Sequence, residues 1–207
     1  QSVKNNLPFI LFMVLLFSFR SSVADWYYVP TGSMEPTIQV GDRVVVDKSA
    51  YTLELPFTDV VVAKTGNINR GDIVIIDSNA ADTRLIKRVV AIEGDKVKLE
   101  NNVLFINGEK ATVSAKDHNL YSEQILGQTR TIALNPLPSP AKNFNLVTVP
   151  RDHVLAMGDN RNNSVDSRYY GFIPIEEIQG KANSVAFSLD PDDMYLPRKD
   201  RLFTSLQ

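Results

Sequence analysis

Three stretches of the chain gather side chains able to do chemistry. In Pro30-Thr31-Gly32-Ser33-Met34-Glu35-Pro36-Thr37, Ser33 stands between a glycine and a rigid proline, so its hydroxyl can face a groove while its amide points at a substrate carbonyl. Taken alone, such residues are also simply what loops are made of. The second stretch, residues 85–92, alternates with period two: Lys87 shares a face with Leu85, Val89 and Ala91, and Arg88 shares the other with Ile86, Val90 and Ile92. Both faces are apolar, so at least one charge sits against greasy neighbours. Arginine keeps its proton in any protein environment, whereas a desolvated lysine gives its proton up and can serve as a general base near neutral pH. Lys87 is therefore the acid–base candidate, unless the strand is an edge strand that uses two charges to prevent aggregation. The third stretch, residues 157–171, is a long polar segment dense in hydrogen-bonding side chains and bracketed by a strand and by aromatic residues, which favours an ordered loop over a merely turn-rich surface one. Its Asn162-Asn163-Ser164 is formally a glycosylation acceptor, a pattern too short to carry weight.

Composition narrows the chemistry. The 207 residues include no cysteine and two isolated histidines, His118 and His153, which excludes thiol nucleophiles and cysteine-held metals and leaves no basis for expecting a metal or another cofactor. Both histidines read as surface or strand-end residues. With 22 basic against 24 acidic side chains, the net charge of −2 offers no basic field for nucleic acid.

The elements that must position these residues are mostly strands. Residues 43–47, 72–77, 85–93, 96–100, 103–106, 146–149, 154–157 and 182–188 are short β-branched runs between turns. Asn101-Asn102 and Asn107-Gly108 suit hairpin turns. Helical periodicity is limited to residues 175–180. Residues from 111 onward are more polar, then proline-rich at Pro136, Pro138 and Pro140, and are read as a β and loop insertion; one long loop in a single sandwich is the alternative. The charged tail, residues 190–201, is expected to be a solvated surface segment. The expected fold is mainly β: an antiparallel-sheet core in two parts, 26–100 and 146–207, an inserted β-rich elaboration at 101–145, and an N-terminal transmembrane helix within 1–25. Residues 5–24 carry one charge, Arg20, and 20 helical residues reach about 30 Å, the thickness of a bilayer core. Pro8 would fall in the first turn, and Trp26, Tyr27 and Tyr28 would form an interfacial belt. A cleavable leader, with Lys4 at its start and Ser22-Val23-Ala24 at its end, competes with this anchor.

Taken in order, these features resemble the type I signal peptidases, bacterial leader peptidases that use a serine–lysine dyad. The resemblance rests on the apolar start, the Ser33 stretch, Gly41-Asp42, Gly71-Asp72, Ile86-Lys87-Arg88 with Gly94-Asp95, and Met157-Gly158-Asp159-Asn160-Arg161 through Ser164, Asp166, Ser167-Arg168 and Gly171-Phe172. It spans residues 7–188 and is weakest over the insertion. It implies that Ser33 is the nucleophile, that Lys87 is the general base, and that the oxyanion hole combines the Ser33 N–H with the Thr31 hydroxyl, where many relatives have serine. Ser164 would orient Lys87, and Asp166 with Arg168 would form a supporting ion pair. The implied partners are the signal peptides of exported preproteins, bound extended along a strand edge, and membrane lipid. The implied location is the inner (plasma) membrane, single-pass, with the catalytic part outside the cytoplasm, which favours the retained anchor over the leader. A maturation peptidase dedicated to one secretion or conjugation system would share the dyad. An inactive membrane-tethered β scaffold would have no need to keep Ser33, Thr31, Lys87 and Ser164 together.

Overall fold

The computed structural model describes residues 2–58, 60–136 and 139–206; Pro138 and the side chains of Lys4 and Phe19 lie outside the described residues. Helix α1 (Ser2–Ser22) leads into strands β1 (Ala24–Tyr28), β2 (Asp42–Asp47), β3 (Thr52–Glu54), β4 (Val61–Lys64), β5 (Ile73–Ser78), β6 (Thr83–Ile92), β7 (Lys96–Glu100), β8 (Val103–Ile106) and β9 (Glu109–Lys110). Next come β10 (Thr112–Asp117), β11 (Leu120–Ile125), β12 (Gln128–Ala133), β13 (Phe144–Thr148) and β14 (His153–Met157). A one-turn helix α2 (Ser167–Tyr170) precedes β15 (Ile173–Pro174), β16 (Ile178–Asp190), β17 (Leu196–Pro197) and β18 (Thr204–Ser205).

The largest sheet runs β1-β2-β16-β5-β6-β14-β15, with β17 and β18 added against β16; beside it lie sheets β13-β7-β8-β9, β10-β11-β12 and β3-β4. Strands β5 and β6 are central, and this explains their composition. Ile73 and Ile75 pack on one face with Val29, Met34, Ile38, Val44, Val46 and Ala182, while Val74 and Ile76 pack on the other with Val89, Val154, Ala156 and Ile173. A strand buried on both faces reads as a continuous β-branched run. The hairpin turns form where Asn can take a left-handed backbone: Asn101 and Asn102 at φ 48° and 64°, and Asn107 at 53° followed by Gly108 at 86°.

Several expectations are corrected. β6 pairs with β5 on one side and β14 on the other, so it is not an edge strand and its two cations do not serve as edge protection. Residues 175–180 do not form a helix; after Pro174 a single 3₁₀ turn, Ile175–Glu177, hands over to β16 at Ile178. Residues 112–133 are a meander of three strands, in keeping with the expected β elaboration and against the alternative of one long loop. The tail is docked, because Arg201 is buried against Asp42 (2.9 Å through Nε) and Arg198 donates to the Val40 carbonyl at 2.8 Å. Pro8 sits inside α1, which begins at Ser2, rather than in its first turn. The transmembrane helix is the largest correction: among the described residues no helix is long and apolar enough to cross a membrane. The apolar run of residues 7–19 reaches only about 20 Å, and Asn5 and Asn6 on one side and Arg20, Ser21 and Ser22 on the other do not lengthen it.

Candidate active site

Ser33 lies in a 3₁₀ turn, Gly32–Met34, that follows extended Thr31 and is pinned from below by fully buried Met34 and Ile38. Lys87 projects from central β6 and is 3% exposed. Its Nζ lies 2.8 Å from Ser33 Oγ and donates to its neighbour's carbonyl, Ile86 O, at 2.9 Å. Burial lowers the Lys87 ammonium from its ordinary 10.5 to about 8; Arg168 adds to the effect, while Asp166 and Asp159 oppose it. A fraction of Lys87 is therefore neutral near physiological pH, and a neutral amine on a serine hydroxyl can take its proton.

The loop after β14 supplies the surroundings. Asp166 caps α2 and is completely buried; its carboxylate accepts from Ser164 Oγ (2.7 Å), Gly158 N (2.9 Å) and Arg168 Nε and Nη2 (2.8 Å each). Burial pushes this carboxyl up, but the Arg168 guanidinium and the two further donors outweigh it and hold it below the usual range. The Ser164 hydroxyl donates to Asp166 and Lys87 Nζ bonds to Ser33 and Ile86; among the described residues no hydrogen bond joins Lys87 to Ser164, contrary to what the resemblance implies. Gly158 is needed where it stands: a Cβ there would run into Ser164 Oγ and the Ser33 carbonyl. Thr31 is exposed at the start of the turn, two residues from Ser33, and its hydroxyl caps no backbone N–H.

Sequence reasoning left one linkage unseen. Arg88, on the opposite face of β6 from Lys87, forms a buried pair with Asp159 (Nη2 to Oδ2, 2.8 Å), and Thr37 Oγ1 donates to the same carboxylate at 2.6 Å. Asp159 therefore ties together the serine stretch, the Lys-Arg strand and the loop after β14. Asn160, next to it, donates its backbone N–H to the Ser33 carbonyl (3.1 Å) and its side-chain Nδ2 to the Gly32 carbonyl (3.0 Å). The signal was present as Asp159-Asn160, but nothing in spacing tells which carbonyls they would meet. A cleft of 530 Å³ opens beside the turn, with Glu35, Pro36, Asn119, Leu120, Asn135 and Asn160 in its walls. Among the described residues no cluster of His, Asp and Glu could hold a metal ion.

A serine hydroxyl against a buried lysine in an antiparallel β body is the equipment of the serine–lysine hydrolases, which dispense with the histidine and aspartate of a triad. The comparison with known families agrees with that class: residues 3–187 match the model of signal peptidases, peptidase S26, and the chain belongs to this family. The signal peptidase I of Pseudomonas aeruginosa is 34% identical over 218 residues, covering 93% of this chain and 75% of that protein. The signal peptidase I of Pseudomonas fluorescens is 33% identical over 214 residues with the same coverage. A solved signal peptidase I from Enterococcus faecalis shares 26% identity over 56% of this chain and 96% of that one, with a TM-score of 0.38.

Proposed function

We propose that the protein is a serine endopeptidase that removes signal peptides from exported preproteins, with Ser33 as nucleophile and Lys87 as general base. The observation that carries this reading is the 2.8 Å approach of a buried lysine, its ammonium lowered to about 8, to Ser33 Oγ. Neutral Lys87 takes the hydroxyl proton as Ser33 attacks the scissile carbonyl; the resulting ammonium protonates the departing amine, leaving an acyl-enzyme on Ser33. Water activated by the same lysine then releases the signal peptide, and no metal or cofactor takes part. The developing oxyanion is met by the Ser33 N–H and the Thr31 hydroxyl, each such donor being worth roughly 3 kcal/mol at the transition state. Asp166 and Arg168 set the charge around Lys87, and Ser164 helps hold Asp166 in place.

The working division of the chain keeps 26–100 and 146–207 as the catalytic core, since Ser33 and Lys87 come from the first part and Ser164, Asp166 and Arg168 from the second, with 101–145 as an elaboration. We further infer that residues 1–25 attach this core to the extracytoplasmic face of the inner (plasma) membrane. Leu7, Phe9, Ile10, Leu11, Phe12, Val14, Leu15, Leu16 and Phe17 are all exposed and encircle α1. A helix apolar all round has nowhere favourable to be except in lipid or under another protein. Arg20, paired with Asp25 and over the Trp26 ring, marks the water-facing end of that collar.

The deciding experiment is cleavage of a model preprotein by the detergent-solubilised chain. Wild type should cut it, and Ser33→Ala and Lys87→Ala should each lower the rate by at least about a thousandfold. Activity retained in either variant would overturn the dyad.

A further inference from the structure

We propose that Asn160 is a positioning residue for the oxyanion hole, locking the Gly32–Ser33 peptide so that the Ser33 N–H faces the substrate. The inference rests on Ser33 being the nucleophile and goes beyond it. The Gly32 carbonyl accepts from Asn160 Nδ2 at 3.0 Å and from Glu35 N at 3.2 Å, and the Ser33 carbonyl accepts from Asn160 N at 3.1 Å. In a planar trans peptide the carbonyl and the following N–H point in opposite directions. Holding Gly32 O on the Asn160 side therefore aims the Ser33 N–H the other way, and among the described residues this N–H has no hydrogen-bond partner, although Ser33 Oγ is engaged by Lys87.

Asn160 is itself oriented. It is 2% exposed, and its Oδ1 accepts from Asn135 Nδ2 at 3.0 Å, which leaves Nδ2 as the end that faces Gly32. The chain of amides continues, for the Asn135 carbonyl accepts from Asn162 Nδ2 (2.5 Å), and Asn162 Oδ1 accepts from Asn102 Nδ2 (3.2 Å). Asn102 and Asn135 belong to the region expected to be an insertion, so a residue from outside the catalytic strands determines which way the amide of Asn160 faces. No charge is involved, and Lys87 is not in the chain. The two functions, proton abstraction and carbonyl polarisation, are thereby set by separate partners.

The test measures kcat, KM and the pH profile on a model preprotein for wild type, Asn160→Ala, Asn135→Ala and Ser33→Ala. Asn160→Ala keeps its backbone N–H to Ser33 and loses only the amide that holds Gly32. Its kcat should fall about tenfold to a hundredfold, with KM within about twofold and the acid limb of the profile where wild type has it, because Lys87 is untouched. Asn135→Ala should show a smaller, several-fold loss in kcat with the same unshifted limb. A kcat within twofold of wild type in Asn160→Ala, or a loss accompanied by a displaced limb, overturns the proposal. If Asn160→Ala does not fold, Asn135→Ala decides by the same two readings. Wild type that fails to cut, or Ser33→Ala that cuts, would instead sink the nucleophile assignment, so the two failures are distinguishable.

Discussion

At the scale of single residues, the proposed mechanism makes activity depend on whether Lys87 carries a proton. Its ammonium is lowered to about 8, first by burial, so below that pH the base is occupied and above it the amine is free. kcat/KM should therefore rise about tenfold per pH unit on the acid side and level off above about pH 8, as a rate profile from pH 5 to 10 would show. The surrounding charges give that prediction a sign test. Arg168 lowers and Asp166 raises the lysine, so Arg168→Gln should move the acid limb upward and Asp166→Asn should move it downward; limbs that stay put in both variants would mean that burial alone sets the base. The tight turn at Ser33 and the burial of Lys87 were legible in the sequence because their neighbours constrain them: a glycine and a proline around the serine, and apolar alternation around the lysine. The partner of Ser164 was not, because the course of a short turn decides what its hydroxyl meets, and the capping geometry of Asp166 at α2 brings its carboxylate to 2.7 Å as acceptor.

At the scale of elements, the site exists because a 3₁₀ turn, a central strand and the loop after β14 approach within van der Waals contact. Gly158 is a point of close approach, since any Cβ there meets both Ser33 O and Ser164 Oγ. Gly158→Ala should push the turn away from β6 and cost on the order of a hundredfold in kcat, because displacement of the nucleophile by about 1 Å is enough for that; circular dichroism should remain native, since β14 itself keeps its pairing. The strands around the site were readable from alternation, with β7 and β8 matching their expected residues 96–100 and 103–106 in full. Others escaped for physical reasons. β10 is almost wholly exposed on its way through Thr112–Asp117, so it shows no apolar face to read. Residues 175–180 mix isoleucine and glutamate at helical spacing, yet Pro174 and the pairing of Ile178 with Ile76 in β5 draw the chain into a strand after one turn. In the second case tertiary pairing overrode a local preference.

At the scale of the whole molecule, the sheets are joined by buried ion groups that link residues far apart in sequence, and for that reason alternation could not reveal them. Arg201 reaches back to Asp42 and fastens the tail under the first strands. Glu123 in β11, with no exposed surface, accepts from Arg161 through Nη1 (2.7 Å) and Nη2 (2.6 Å) and from Arg130 of β12 through Nε (2.6 Å), so the three-stranded sheet is bolted to the loop that carries Asp159, Asn160 and Ser164. Burial pushes the Glu123 carboxyl up, but Arg161 and Arg130 outweigh it and bring it from 4.5 down to about 2. A carboxyl lower in the folded than in the unfolded chain stabilises the fold above its unfolded value, and that contribution fades as the pH falls from about 4.5 toward about 2. Melting temperatures measured from pH 6 to pH 2 should therefore drop more steeply for wild type than for Glu123→Gln, which has no proton to gain. At pH 7, Glu123→Ala should lose about 3 to 5 kcal/mol, because two buried guanidinium groups would lose the carboxylate they share. Since the same loop positions Asn160 and Asp166, residual activity of Glu123→Ala should decline below the temperature at which its sheets melt, a separation that thermal circular dichroism run beside a cleavage assay would reveal and that coincident curves would rule out.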